Sequence, residues 1–428
     1  MKEELNEVLE VAAQAGHILL ENGAEISRVE DIMGRIATHF GVHTGNFFVL
    51  SNGIFTTGSG EKIPKAGGQA STYANVEFIP IRSINLSKVV AVNRLSYDIA
   101  GNRCTLVEAR ERLAAIKASP SKPALESIAG SALGAAGFCA VFGGSLLDCA
   151  AALVAGALLE LFILLVSGRY LSKIVGGICN AVLVTLLCIA MWRLGFGESL
   201  SNIIIGAVMP LIPGVPFVNG VRDLANSDYI AGLTRLTDAM LSFFCIALGV
   251  IVAFTMDGAA FGGMIALGGM TQSAQTAGLV CQFAAAFVGT LAFAILFGME
   301  RGHYAVAGAI GALGWLLYLV LLRYAGAGAS LATLASAVLV CVLSRAMAVP
   351  MRSPAQVFLL CGLFPLIPGA GIFWFTYYLS TAQFHLSLLG GFTAVKIAIS
   401  IVLGIILAME LPQRIFSGRR SERKTTCR

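Results

Sequence analysis

The pentapeptide PLIPG occurs twice, at residues 210–214 and again at 365–369, each time inside a long apolar stretch. Proline donates no backbone N–H and its ring clashes with the preceding helical turn, so two prolines three residues apart break a helix. In hydrocarbon, each carbonyl freed by such a break costs several kcal/mol unless something satisfies it. The pattern therefore predicts two Pro-broken helices whose unwound backbone faces protein, water or a ligand. The plainer alternative is a kink that only shapes helix packing.

The copies are 155 residues apart, and the same offset aligns Gly134 with Gly289, Phe138 with Phe293, Phe142 with Phe297 and Gly143 with Gly298. It continues through Gly156/Gly311, Leu158/Leu313 and Leu161/Leu316, whereas residues 171–200 match poorly. Duplication is the better reading. Each copy would hold five spans, and five is odd, so the second enters the membrane upside down. Inverted repeats of this kind characterise secondary transporters, whose substrate sites lie near the midplane at Pro- and Gly-interrupted segments of the two halves. That places Pro210, Pro213, Gly214, Pro365, Pro368 and Gly369 among the candidate site residues.

Composition fits an all-α polytopic membrane protein: 57% of the 428 residues are hydrophobic and 12% charged, against about 25% charged in soluble chains. Residues 1–122 carry 13 Lys/Arg and 13 Asp/Glu, about half of all charges (29 Lys/Arg and 24 Asp/Glu). They read as an α+β domain: a helix over 3–20, a second from Ser27 (capping box with Glu30) to Gly41, and a hairpin turning at Asn52-Gly53. A third strand, NVEFIPI, and two helices follow, one over 86–100 and one capped by Thr105 with Glu108. The acidic, amphipathic start lacks a signal peptide's features, which keeps this domain cytoplasmic. The expected division is 1–122, a first five-span module 123–256, a second 257–411 and a basic tail 412–428.

Ten spans of about 20 residues are expected, over 126–144, 147–167, 172–192, 200–220, 233–255, 276–298, 303–322, 328–348, 355–378 and 388–409. With the N-terminus inside, cytoplasmic loops carry Arg169, Lys173, Arg222, Arg235, Arg301, Arg345 and Arg352, and the other side only Arg193 and Arg323. This obeys the positive-inside rule and puts both termini in the cytoplasm. The tail's net positive charge suits anionic lipid, not nucleic acid.

An ionisable group at bilayer depth costs at least about 2.5–3.5 kcal/mol. Glu160 is either a proton carrier or a structural carboxylate. Asn180 reads as interhelical glue. Beyond the first break, Asn219, Arg222 and Asp223 sit where Arg222 could attract a substrate carboxylate and Asp223 an amino group or proton; a helix-end ion pair is the alternative. Asp238 and Lys396 fall at similar depth in spans five and ten, and we expect them to meet as a substrate- or proton-sensitive pair, unless each has a local partner such as Arg235.

The run MPLIPGVPFVNGVRDLANSDYIAGLTRLTDAML (209–241) resembles the signature of the threonine/serine exporter family, and LLENGAEISRVEDIMGRIATHFG (19–41) is similar to its opening motif. The second five-span module resembles the family's C-terminal module. The resemblance implies proton-driven export, as by an antiporter in the cell inner membrane, of threonine and serine or of a dicarboxylate. The ten cysteines form no C-x-x-C pair, so no disulfide framework, metal or cofactor is expected. GIFTTGSG (53–60) lacks the P-loop lysine, which favours ion coupling over ATP. In the soluble domain His17, Glu25, Glu30, His39 and His43 could supply a base or ligands, but gating or assembly is the better expectation there. The alternative overall is a membrane-anchored enzyme or sensor acting through that domain. Small residues on most spans leave homo-oligomerisation open.

Overall fold

A computed structural model describes residues 2–59, 72–79, 84–120, 122–263, 265, 267 and 278–412. The chain opens with helices α1 (Lys2–Glu21) and α2 (Ile26–His39), then strands β1 (Asn46–Leu50), β2 (Gly53–Ser59) and β3 (Thr72–Phe78), and helices α3 (Leu86–Ala100) and α4 (Leu106–Ala118). The strands form one antiparallel sheet in the order β1-β2-β3. Leu50 pairs with Gly53, so the hairpin turns at Ser51-Asn52, one residue earlier than expected, and the P-loop look-alike is the central strand β2, paired on both sides. Ile18, Leu19, Ile32, Met33, Ile54 and Val92 are buried together between helices and sheet, each such side chain contributing about 1.5–3 kcal/mol.

Two helix starts contrast. Thr105 and Glu108 make the reciprocal capping box that their spacing predicts. Ser27 caps nothing: α2 starts after Glu25, the Ser27 hydroxyl accepts from Asn226 Nδ2 at 3.0 Å, and the Glu30 carboxylate accepts from Val49 N at 3.0 Å. Tertiary partners outcompete the local box. Gly41, at φ +87°, ends α2 as expected.

The apolar remainder supplies eight single helices long enough to cross a membrane and two bent pairs among the described residues. In chain order the spans are Ala124–Val141, Leu146–Tyr170, Lys173–Arg193, the bent pair Leu200–Leu211 and Gly214–Ala225, Tyr229–Phe261, Leu279–Leu296, Arg301–Arg323, Ala329–Met351, the bent pair Ala355–Leu366 and Gly369–Ser380, and Phe384–Met409. This is a multi-pass membrane protein. The expected start of span six at 276 and the basic tail beyond 412 lie outside the described residues. Span two contains a π-helical turn over Ile163–Ser167.

Both PLIPG segments break their helix in the same way. A 3₁₀ turn, Met209–Leu211 in span four and Phe364–Leu366 in span nine, leads to an extended isoleucine: Ile212 at φ −66°, ψ 125° and Ile367 at φ −64°, ψ 133°. Pro213 and Pro368 follow at ψ 57° and 50°, and a new helix restarts at Gly214 and Gly369, bent by 59° and 43°. The freed Ile212 and Ile367 carbonyls are recovered by the N–H groups of Gly214 (2.8 Å) and Gly369 (2.7 Å). That satisfies acceptors that would otherwise be orphaned.

The breaks lie against each other, and their contacts exchange under the 155-residue offset. A Cβ on Gly214 would meet Phe364 Cζ at 2.5 Å and Ile367 Cδ1 at 2.9 Å; one on Gly369 would meet Met209 Sδ at 2.9 Å and Ile212 Cδ1 at 2.6 Å. Spans one and six repeat the pattern, with Gly134 under Phe293 and Gly289 under Phe138. Those two rings stack edge-on at 5.3 Å. Each broken span is also clasped at its entrance. Asp148 Oδ1 accepts from the N–H groups of Glu198 (2.6 Å) and Ser199 (3.0 Å), and His303, its counterpart at the same offset, bonds the Ser353 hydroxyl at 2.8 Å.

Candidate functional site

The backbone carbonyl of Gly23, in the turn between α1 and α2, accepts from Asn219 Nδ2 at 2.9 Å and Gln356 Nε2 at 3.3 Å. Asn219 lies near the end of span four and Gln356 at the start of span nine, so the two broken spans approach the domain from opposite chain directions. Around this point a buried charge network bolts the domain down. Arg222 Nη1 pairs with Glu25 Oε2 at 2.7 Å and Arg235 Nη1 with Asp223 Oδ2 at 2.9 Å. Asp223 Oδ1 accepts from Ile26 N at 3.3 Å, and Arg235 Nη2 donates to Ala24 O at 2.9 Å. Asp223 is fully buried and Arg235 nearly so, so each charge survives there only because it is paired.

Beside the first break lies a cavity of about 610 Å³, within the range typical of small-ligand sites. Span four contributes Pro210, Leu211 and Asn219, span three Lys173 and Asn180, and span five Asp238 and Ser242. The π turn of span two reaches it through Ile163 and Ser167; such turns recur at functional sites. Gly176 lets span three close on that turn, since a Cβ there would sit 2.6 Å from Ser167 Oγ. Lys173 and Asp238 form an ion pair across the cavity, both partly solvent-accessible. Asn180 is buried and its Oδ1 has no hydrogen-bond partner. A cation, an anion and an unused acceptor around one space suit a zwitterion bearing a further hydroxyl group.

Of the residues expected here, Pro210, Asn219 and Asp238 line the cavity, while Arg222, Asp223 and Lys396 do not. Pro213, Gly214, Pro365, Pro368 and Gly369 build the paired breaks. The expected Asp238–Lys396 pair is not formed. Asp238 pairs with Lys173 because span three packs along span five, whereas span ten packs on span eight and the end of span nine. Nor do Arg222 and Asp223 pair with each other; both turn to the domain network. Glu160, in span two, lies near Lys122 of the linker before span one, whose ammonium burial pulls down to about 8 against the attraction of Glu160. Lys173 and Gln356 take partners that no local pattern announced, Glu25 pairs with Arg222 instead of serving as a free base or ligand, and Asn180, expected as interhelical glue, lines the cavity with an unbonded Oδ1. Lys173 reads in sequence only as a topology marker.

The soluble domain's candidates disperse. His17 bonds Glu77 at 3.1 Å, Glu25 and Glu30 are engaged as above, and among the described residues no group of three or more His, Cys, Asp or Glu could hold a metal.

A family model describing a threonine/serine exporter matches residues 10–256, and a second, threonine/serine exporter ThrE, matches 282–410. The "Probable succinate transporter subunit YjjP" of Klebsiella aerogenes is 25% identical over 60% of this chain and 96% of its own length. The "Probable threonine/serine exporter" of Mycobacterium tuberculosis is 26% identical over 68% of this chain and 56% of its own. No solved structure matches. The chain belongs to the threonine/serine exporter family.

Proposed function

We propose that this protein is a proton-coupled secondary exporter of threonine, serine or a similarly sized dicarboxylate, with its substrate cavity beside the first PLIPG break. The cavity carries this reading: Lys173 would take a substrate carboxylate, Asp238 an ammonium group or a proton, and Asn180 Oδ1 a hydroxyl. An amino acid offers both charges needed to replace the Lys173–Asp238 pair, so binding exchanges one ion pairing for two. A dicarboxylate would use Lys173 and require Asp238 protonated, which ties its movement to the proton.

The two modules would be inverted copies, and the contacts exchanged between the breaks support a pseudo-twofold axis through them. Such halves alternate access by rocking against one another. The domain, clasping the end of span four and the start of span nine at Gly23, would close the cytoplasmic side in this state. Both termini would be cytoplasmic in an inner membrane, as the positive-inside count supports. A relative named as a transporter subunit supports assembly with further chains.

Flux of labelled threonine, serine and succinate in proteoliposomes, with and without a pH gradient, tests this. Gradient-driven flux of at least one is expected in the wild type, lost in Asp238→Asn and reduced in Lys173→Gln. Unchanged flux in both variants would remove the cavity from the transport path. Wild-type flux indifferent to the gradient would remove the coupling.

A further inference from the structure

A larger cavity, about 940 Å³, lies between α3 of the domain and the turn joining span eight to span nine. Its walls carry five arginines, Arg28, Arg94, Arg103, Arg345 and Arg352, against a single carboxylate, Asp98. Neutralisation is uneven. Asp98 is shared by Arg103 at 3.3 Å and by Arg112 at 3.4 Å. Glu25 serves Arg28 at 3.5 Å with one oxygen and Arg222 at 2.7 Å with the other. Arg94 grips Glu300 with both nitrogens at 2.8 Å, yet 45% of its side chain stays exposed.

Arg352 stands apart. It caps span eight in the left-handed region, at φ 48° and ψ 42°, and its exposed guanidinium has no ion-pair partner among the described residues. The first limb of span nine begins on the same wall at Ala355, so the positive end of its dipole adds to the field. Arginine, unlike lysine, presents planar forks matched to phosphate oxygens.

We propose that this cavity binds a phosphate-bearing anion, bridging the domain to the span eight–nine turn through Arg352, Arg94 and Arg28. The need for several separated guanidinium groups favours the oxygen-rich phosphate over a lone carboxylate. Two sources share this chemistry: a soluble phosphate or diphosphate, and the headgroup of an anionic phospholipid, which basic pockets at helix ends recognise. The site is separate from the substrate cavity and does not depend on what is exported.

Binding of pyrophosphate and of short-chain phosphatidylglycerol to the purified full chain in neutral detergent, with phosphatidylcholine as control, tests the proposal. Saturable binding of pyrophosphate, the glycerophospholipid or both is expected, weakened about tenfold or more by Arg352→Ala. Arg352→Lys should recover part of it, and Arg110→Ala, remote on α4, should change nothing. Pyrophosphate binding alone assigns a soluble ligand; phosphatidylglycerol binding alone assigns lipid. Arg94→Ala provides an independent variant with the same expected loss. Absence of saturable binding of either anion, or equal affinity in wild type and both alanine variants, would overturn the proposal.

Discussion

The two broken spans have the same backbone and opposite chemistry. Beyond the first break, the positions facing the domain are Asn219, Arg222 and Asp223; at the same offset beyond the second stand Trp374, Tyr377 and Tyr378. The first set locks onto the α1–α2 turn through buried ion pairs. The second stacks ring on ring and holds the segment after span five, the Tyr377 hydroxyl accepting from Leu267 N at 2.7 Å and donating to Ile265 O at 3.1 Å. Proline and glycine determine the shape of the break, while the side chains after it determine what docks there. A charged latch of this kind responds to protons and ions; an aromatic one responds mainly to packing.

The largest expected difference between the halves is in the latches. Arg235→Ala leaves Asp223 buried without its partner and should destabilise domain docking by about 3–5 kcal/mol, read as faster proteolytic release of the domain. Tyr377→Phe deletes one hydroxyl and should cost about 1–2 kcal/mol of thermal stability. Equal losses would erase the distinction between a charged and an aromatic latch.

The glycines test what the halves share. Gly214→Ala and Gly369→Ala each force a Cβ into side chains of the opposite break, and each should cost about 1–3 kcal/mol through overpacking. Melting temperatures that fall by similar amounts would sharpen the equivalence of the breaks. A loss confined to one would break it.

The smallest effect concerns pH and the second half alone. Lys122 feels Cys361 in the first limb of span nine, while the counterpart of Cys361, Gly206, packs on Ala135 and Cys139. Burial lowers the Lys122 ammonium from 10.5 to about 8, so between those values the unfolded chain binds the extra proton. Stability from this residue is therefore complete above 10.5, rises with pH from 8 upward and is lost as pH falls through 8. Lys122→Met should melt higher than wild type at pH 7, with the gap narrowing by pH 9.5. A gap independent of pH would place the effect in packing.

Much of this was legible before any coordinates. The breaks, the spans and the Thr105 capping box follow from local rules, because proline geometry and capping act within a few residues. Partnership across the membrane did not follow. Nothing near Asp238 says that span three, not span ten, lies beside it, and Arg235, three residues before it on the same helix, points elsewhere, to Asp223. Ser27 and Glu30 carry a valid capping spacing, yet Asn226 and the Val49 amide claim them. One sequence states which groups need partners, and only the packed chain states which they receive.

The mutual seating of Gly214 and Gly369 also constrains how this protein can evolve. Each glycine is the floor on which the other half's isoleucine rests, with Ile367 above Gly214 and Ile212 above Gly369. A methyl group gained in one half is accommodated by trimming what it meets in the other, so substitutions here should arise as cross-half pairs such as Gly369→Ala with Ile212→Val. Although one break carries a charged latch and the other an aromatic one, at this seam neither can drift alone.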